Sequence, residues 1–77
     1  MLVAQIIVDV PLMQTDRPYS YLVPESMQGQ IAIGMRIHVP FGKGNRLLQG
    51  FVIGFGEQEN VRKLPDLKSI AELLDYE

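Results

Sequence analysis

Each of the first three apolar runs in this chain is stopped by a proline. LVAQIIVDV runs into Pro11, YSYLV into Pro24 and MRIHV into Pro40. Proline has no N–H for a ladder and cannot continue a helix, so runs cut this way read as short strands. From Val3 to Val10 the even positions Ala4, Ile6, Val8 and Val10 are apolar, while Gln5 and Asp9 fall in the odd set. That is a strand with one buried face. Tyr19–Val23 is the second strand, with Tyr19, Tyr21 and Val23 on one face and Ser20 and Leu22 on the other. Met35–Val39 alternates cleanly, Met35, Ile37 and Val39 inward and Arg36 and His38 outward. Leu47–Phe55 is apolar on both faces apart from Gln49, the look of a strand covered on both sides or of a barrel strand. Gly50 and Gly54, four apart, fall on one face by strict alternation, and glycines inside a strand mark bends or close backbone approach.

Leu12–Pro18, Ser26–Gly34 and Gly56–Pro65 read as connections, with a turn at Gly34. In the last segment, Leu67–Tyr76, the spacing of Leu67, Ile70, Ala71 and Leu74 fits a helical face that Asp66 would cap. Four or five strands in 77 residues with short turns predict a mainly β fold with little helix, a small strongly curved sheet or open barrel. One domain over residues 1–77 is all this length allows, and a domain so small buries only about 60% of its unfolded surface.

Composition narrows the chemistry. There is no Cys for a disulfide, a thiolate metal site or a thiol nucleophile. One His and nine scattered acids do not make a metal site. No Ser-His-Asp trio is poised, and Gly42-Lys43-Gly44 lacks the spacing and the Ser/Thr of a phosphate-binding loop with magnesium. The reading is therefore a binding module with no catalytic residues. The apolar runs fall short of a membrane span, and the first ten residues lack the basic region and cleavage site of a signal peptide. The expected location is the cytoplasm.

The net charge of −2 does not favour nucleic acid, but its distribution does. Between Glu25 and Glu57 there is no acid, while Arg36, His38, Lys43 and Arg46 lie there. Such a stretch forms a local positive patch on an acidic domain, in which Arg36, Lys43 and Arg46 meet phosphates. The glycines of VPFGKGNR let backbone N–H groups approach a ligand without an intervening Cβ. Tyr19, Tyr21 and Phe41 offer stacking faces for bases. Core packing is the competing account of these aromatics, and the stronger one for Tyr21 and Phe41.

The order of features carries a resemblance. VDVPL, YSYLVPE, GMRIHVPFGK, QGFVIGF and LKSIAELLD follow one another over nearly the whole chain. This succession resembles the N-terminal 3′ DNA-end-binding domain of bacterial primosomal protein N′, the replication-restart helicase PriA. The resemblance implies a fragment of a longer ATP-dependent 3′–5′ helicase. ATP, magnesium and zinc would belong to the remainder, and this part would need no cofactor. It implies recognition of the 3′-OH end of the nascent leading strand at stalled forks, without base specificity. Carried over by position, the implied end-binding residues are Tyr19, Ser20, Tyr21, Gly42 and Lys68. Ser20 departs from the family, which usually has Asp there. The resemblance also makes the LK…LLD stretch a strand, against the helical spacing. Implied partners are branched DNA, other primosome proteins and single-stranded-DNA-binding protein, in a cytoplasmic, nucleoid-associated setting. Two other functions stay open: a protein-interaction barrel of the primosome, and a generic RNA-binding barrel.

Overall fold

The computed structural model describes residues 1–10, 17–57 and 67–74. Five strands form one antiparallel sheet: β1 (Leu2–Val8), β2 (Tyr19–Leu22), β3 (Arg36–Phe41), β4 (Arg46–Glu57) and β5 (Glu72–Leu73), in the order β2-β1-β4-β3-β5. A single 3₁₀ turn, Glu25–Met27, is the only helical element among the described residues. The mainly β expectation holds, and the expected strands are present with shifted ends. The ladder of β1 stops at Val8 rather than Val10, although the Asp9 N–H still donates to Gln49 O.

Alternation sets the core. Ala4, Ile6 and Val8 from β1, Ile37 and Val39 from β3 and Val52 from β4 are each at most 1% exposed, and Tyr21, Val23, Ile70 and Leu73 close around them. Each of the buried Ile and Val side chains contributes about 1.5–3 kcal/mol on leaving water. The sheet curves because its long central strand bends. Gln5 pairs with Gly54 but Ile6 pairs with Val52, so Ile53 is an extra residue in β4. A bulge of this kind increases local twist and bend. It also corrects the single-face expectation for the two glycines. Gly50 faces the core opposite Val8 and Ile37, whereas Gly54 lies opposite Gln5 on the outer face.

Pro40 does not stop its strand. It pairs with Leu47, and β3 continues to Phe41. The carbonyls of Arg36 and His38 accept from Leu74 and Ala71, so the even positions of β3 turn their backbone polar groups toward β5. β5 pairs only with Ile37 and His38, so at Pro40 no neighbouring strand asks for the missing N–H. The outer face of β4 is not covered: Leu47 and Phe51, with Ile53 at the bulge, are 43–57% exposed, which selects the barrel alternative.

The segment 67–74 is extended, and the helical expectation for Leu67–Tyr76 is overturned over those residues. Its N–H groups bond across strands instead of within a helix. Leu22 N–H donates to Lys68 O and Ile70 N–H to Leu22 O, while Ala71 and Leu74 N–H donate to His38 and Arg36. One residue pair, Leu22 with Ser69, ties this segment to β2, and Glu72–Leu73 ties it to β3. The two edges of the sheet are thus bridged without a continuous closing ladder, an open barrel. Gly34 makes the expected turn, at φ 91°. Of the two polar connections at Leu12–Pro18 and Gly56–Pro65, all but Arg17, Pro18, Gly56 and Glu57 lies outside the described residues, and Gly56 and Glu57 belong to β4.

Candidate nucleic-acid interface

The bridging segment creates a cavity of about 330 Å³ at one mouth of the barrel, lined by Tyr19, Ser20, Tyr21, Phe41, Gly42 and Lys68. Its position follows from strand parity. Tyr19 and Tyr21 pair with Ile6 and Ala4 and so face inward. Phe41 continues the inward set of Ile37 and Val39 at the end of β3. At the barrel mouth such side chains are only partly covered by core. Tyr19 and Phe41 meet edge to face, ring centroids 5.2 Å apart at 87°. They make a right-angled aromatic corner, a favoured geometry for paired rings.

Tyr21 is both core and wall. It is 4% exposed, and its hydroxyl donates to Pro40 O at 2.8 Å. Burial, followed by the neighbouring Tyr19, pushes its phenol above the ordinary value of 10.0. That hydrogen bond uses the carbonyl that β5 does not reach and pins β3 to β2 across the mouth.

The Gly42–Asn45 turn is built on two left-handed residues, Gly42 at φ 76° and Asn45 at φ 51°. Glycine takes this region freely and asparagine tolerates it. Gly42 O accepts from Asn45 N–H at 3.2 Å and from Lys68 Nζ at 2.6 Å. Lys68 therefore clamps the basic turn to the bridging strand. Its ammonium stands at the cavity with donors to spare, since a lysine carries three.

Ser20 projects from the exposed face of β2, where its cross-strand partner is Gln5. Gln5 Nε2 donates to Ser20 Oγ at 3.1 Å, and Ser20 Oγ donates to Gln5 Oε1 at 3.3 Å.

The structure thus brings together all five residues that resemblance placed at the end-binding site: Tyr19, Ser20, Tyr21, Gly42 and Lys68. Lys43 and Arg46 lie exposed in and beside the turn at Gly42, on the rim of the same mouth. Arg36 does not join them. It lies at the far end of β3, about 17 Å along the strand from Phe41 at roughly 3.3 Å per residue, opposite Phe51. His38 is half-buried, its Nδ1 3.2 Å from Glu72 Oε1, where it ties β3 to β5.

Sequence reasoning favoured the core for Phe41 and did not single out Gln5. The inward parity of Phe41 was legible, but that its strand ends at an open mouth was not. Gln5 acquires its place only through the β1–β2 register.

Comparison with known proteins agrees with this geometry. A family model described as the 3′ DNA-binding domain (3′BD) of PriA matches residues 5–77. The replication restart protein PriA of Bacillus subtilis (strain 168) is 40% identical over 72 residues, 94% of this chain. The chain spans 9% of the length of that curated relative. The antiparallel open barrel, the cavity at its mouth and the match across residues 5–77 lead to one assignment: the chain belongs to the PriA 3′ DNA-binding domain family.

Proposed function

We propose that this chain captures the 3′-OH end of a DNA strand in the cavity at the barrel mouth, without reading the base. The observation that carries this reading is the convergence of Tyr19, Ser20, Tyr21, Phe41, Gly42 and Lys68 on one cavity of about 330 Å³. The aromatic corner offers a stacking face that every base can use. Lys68, with Lys43 and Arg46 at the rim, supplies charge for the last phosphates, which carry no sequence information. Within a longer restart helicase, the domain would hold the nascent leading strand's end at a stalled fork. ATP, magnesium and zinc chemistry would belong to the rest of that protein, together with contacts to other primosome proteins and single-stranded-DNA-binding protein. The proposed setting is the cytoplasm, on the nucleoid.

A titration by fluorescence anisotropy tests the reading. Linear single strands with a free 3′-OH should bind more tightly than a closed circle of the same composition. Equal affinity for both would sink end capture and leave only general binding along the strand.

One observation favours a second role. Leu47 and Phe51 on the outer face of β4 and Ile53 at its bulge form an exposed apolar run. Exposed apolar surface of this kind fits a protein-docking role alongside DNA capture.

A further inference from the structure

A groove of about 340 Å³ lies on the outer wall of the barrel, between β1 and β4. Register explains it. Ile7 pairs with Phe51, and Asp9, whose N–H donates to Gln49 O at 2.8 Å, lies opposite Gln49. Ile7 and Asp9 therefore share the outer face at the end of β1, away from the inward Ile6 and Val8. Phe51 and Gln49 share the matching face of β4. The apolar walls come from Ile7, Val10 and the half-exposed Phe51. One row further along the two strands stand the Asp9 carboxylate and the Gln49 amide.

Charge selects the occupant. Among the described residues, Asp9 is the only charged group that lines the groove, and no ion pair engages it. A carboxylate accepts only, so it asks for a donor, and a cationic donor makes the stronger bond. The same charge turns a phosphate backbone away, so the groove does not extend the DNA surface. By register Arg36 lies beside Phe51 on the side away from Ile7, and His38, beside Gln49, faces Glu72. A partner's cation therefore belongs at the Asp9 end, with its apolar neighbour over Ile7 and Phe51, where contact removes apolar surface from water. The volume lies at the low end of the range of about 300–1,000 Å³ for binding pockets, which suits one anchoring side chain rather than a folded surface.

We propose that this groove docks a short segment of a partner protein in which an apolar side chain is flanked by lysine or arginine. Phe51 and Ile7 hold the apolar anchor, Asp9 receives the cation, and the Gln49 amide can bond to the segment's backbone. The proposal rests on the docking role of the outer face of β4 and adds the chemistry of the partner. The groove is on the wall of the barrel, whereas the cavity with Tyr19 and Lys68 is at its mouth. A protein on the wall and a DNA end at the mouth can thus be held together.

The test follows the backbone amides of the isotope-labelled chain by NMR during titration with three short capped peptides. They are identical except that a central Leu is flanked by Lys, by Ser or by Glu. The lysine peptide should shift the Ile7, Gln49 and Phe51 signals and bind at least about threefold more tightly than the glutamate peptide, the modest scale of an exposed ion pair. Asp9→Asn should remove that ranking and Asp9→Lys should reverse it. Both changes fall at an exposed position past the end of β1, and circular dichroism checks the fold. Phe51→Ser should weaken all three peptides about fivefold, the scale of losing a partly buried aromatic contact. No shift at these amides with any peptide overturns both the proposal and the docking role. Equal affinities, with the shifts confined to the groove, leave the docking role standing and overturn the cationic partner, as does a ranking that survives Asp9→Asn. A single-stranded oligonucleotide should leave the three groove signals in place. If it displaces the lysine peptide from them, the groove is a nucleic-acid surface and the proposal falls.

Discussion

Alanine at Gly50 and alanine at Gly54 should have opposite effects, although the two glycines sit four residues apart in one strand. A Cβ built on Gly50 would lie 2.6 Å from Ile7 O, 2.8 Å from Ile6 Cγ2 and 3.3 Å from Val8 Cα. Carbon contacts are at their best near 3.5–4.0 Å, so two of these are deep overlaps. The nearest atom belongs to the backbone of β1, in the centre of the sheet, and cannot swing aside as a side chain does. Overpacking of this sort costs about 1–3 kcal/mol. At Gly54 a Cβ meets nothing within 4 Å. Replacing glycine inside a strand gains about 0.5–1 kcal/mol from the unfolded chain's lost freedom. That gain is common to both variants, so their difference isolates the overlap. For a domain this size 1 kcal/mol is about 4–8 °C in Tm. Gly50→Ala should therefore melt at least about 4 °C below Gly54→Ala, and Gly54→Ala at or slightly above the unaltered chain. Thermal and urea unfolding followed by circular dichroism give both numbers. If the two variants melt within about 2 °C of each other, the close approach of β1 to β4 at Gly50, and the bulge that separates the two glycines onto opposite faces, are wrong.

Four further outcomes are expected. The Tyr21 phenol is raised above 10.0 by burial and then by Tyr19, so the folded state keeps a proton that the unfolded state releases. Stability should be intact below pH 10.0 and decline as pH rises beyond it; Tyr21→Phe should flatten that alkaline decline in pH-dependent urea melts, while losing about 0.5–1.5 kcal/mol with the bond to Pro40 O. Lys43→Ala or Arg46→Ala should lower the salt slope of single-strand binding by about 0.7 for each phosphate left without its cation, whereas Arg36→Ala, at the far end of β3, should leave it nearly unchanged. Phe41→Leu and Tyr19→Leu should each weaken binding of a strand with an intact terminal base by about 1–3 kcal/mol, and an abasic terminus should show little of that loss in the same anisotropy assay. Lys68→Met removes the clamp on Gly42 O, so it should reduce capture of a free 3′ end more than binding of a closed circle; equal losses would limit Lys68 to general electrostatics.

Local chemistry was enough to place most of the strands. Alternation at Ala4, Ile6 and Val8 and at Ile37 and Val39 states which face is buried, because a strand has period two and only one face can reach a core this small. The left-handed turn after Phe41 was equally legible, since glycine and asparagine are the residues that tolerate it. Aromatic and glycine chemistry had already marked Tyr19, Tyr21 and the turn at Gly42 for ligand contact, and family resemblance added Ser20 and Lys68, which no local rule would have selected. Long-range pairing settled the rest, wherever the partner of a backbone group lies far along the chain. The segment 67–74 has helical spacing, yet its N–H groups find Leu22, His38 and Arg36, and tertiary context wins over local propensity. Pro40 stays in its strand because β5 is too short to need its N–H, a fact about a strand more than thirty residues away. The bulge at Ile53 exists only in the pairing of β4 with β1, so the opposite faces of Gly50 and Gly54 could not be counted off from their spacing. The pairing of Gln5 with Ser20 likewise depends on register, fifteen residues apart in sequence and in contact only once β1 and β2 have aligned.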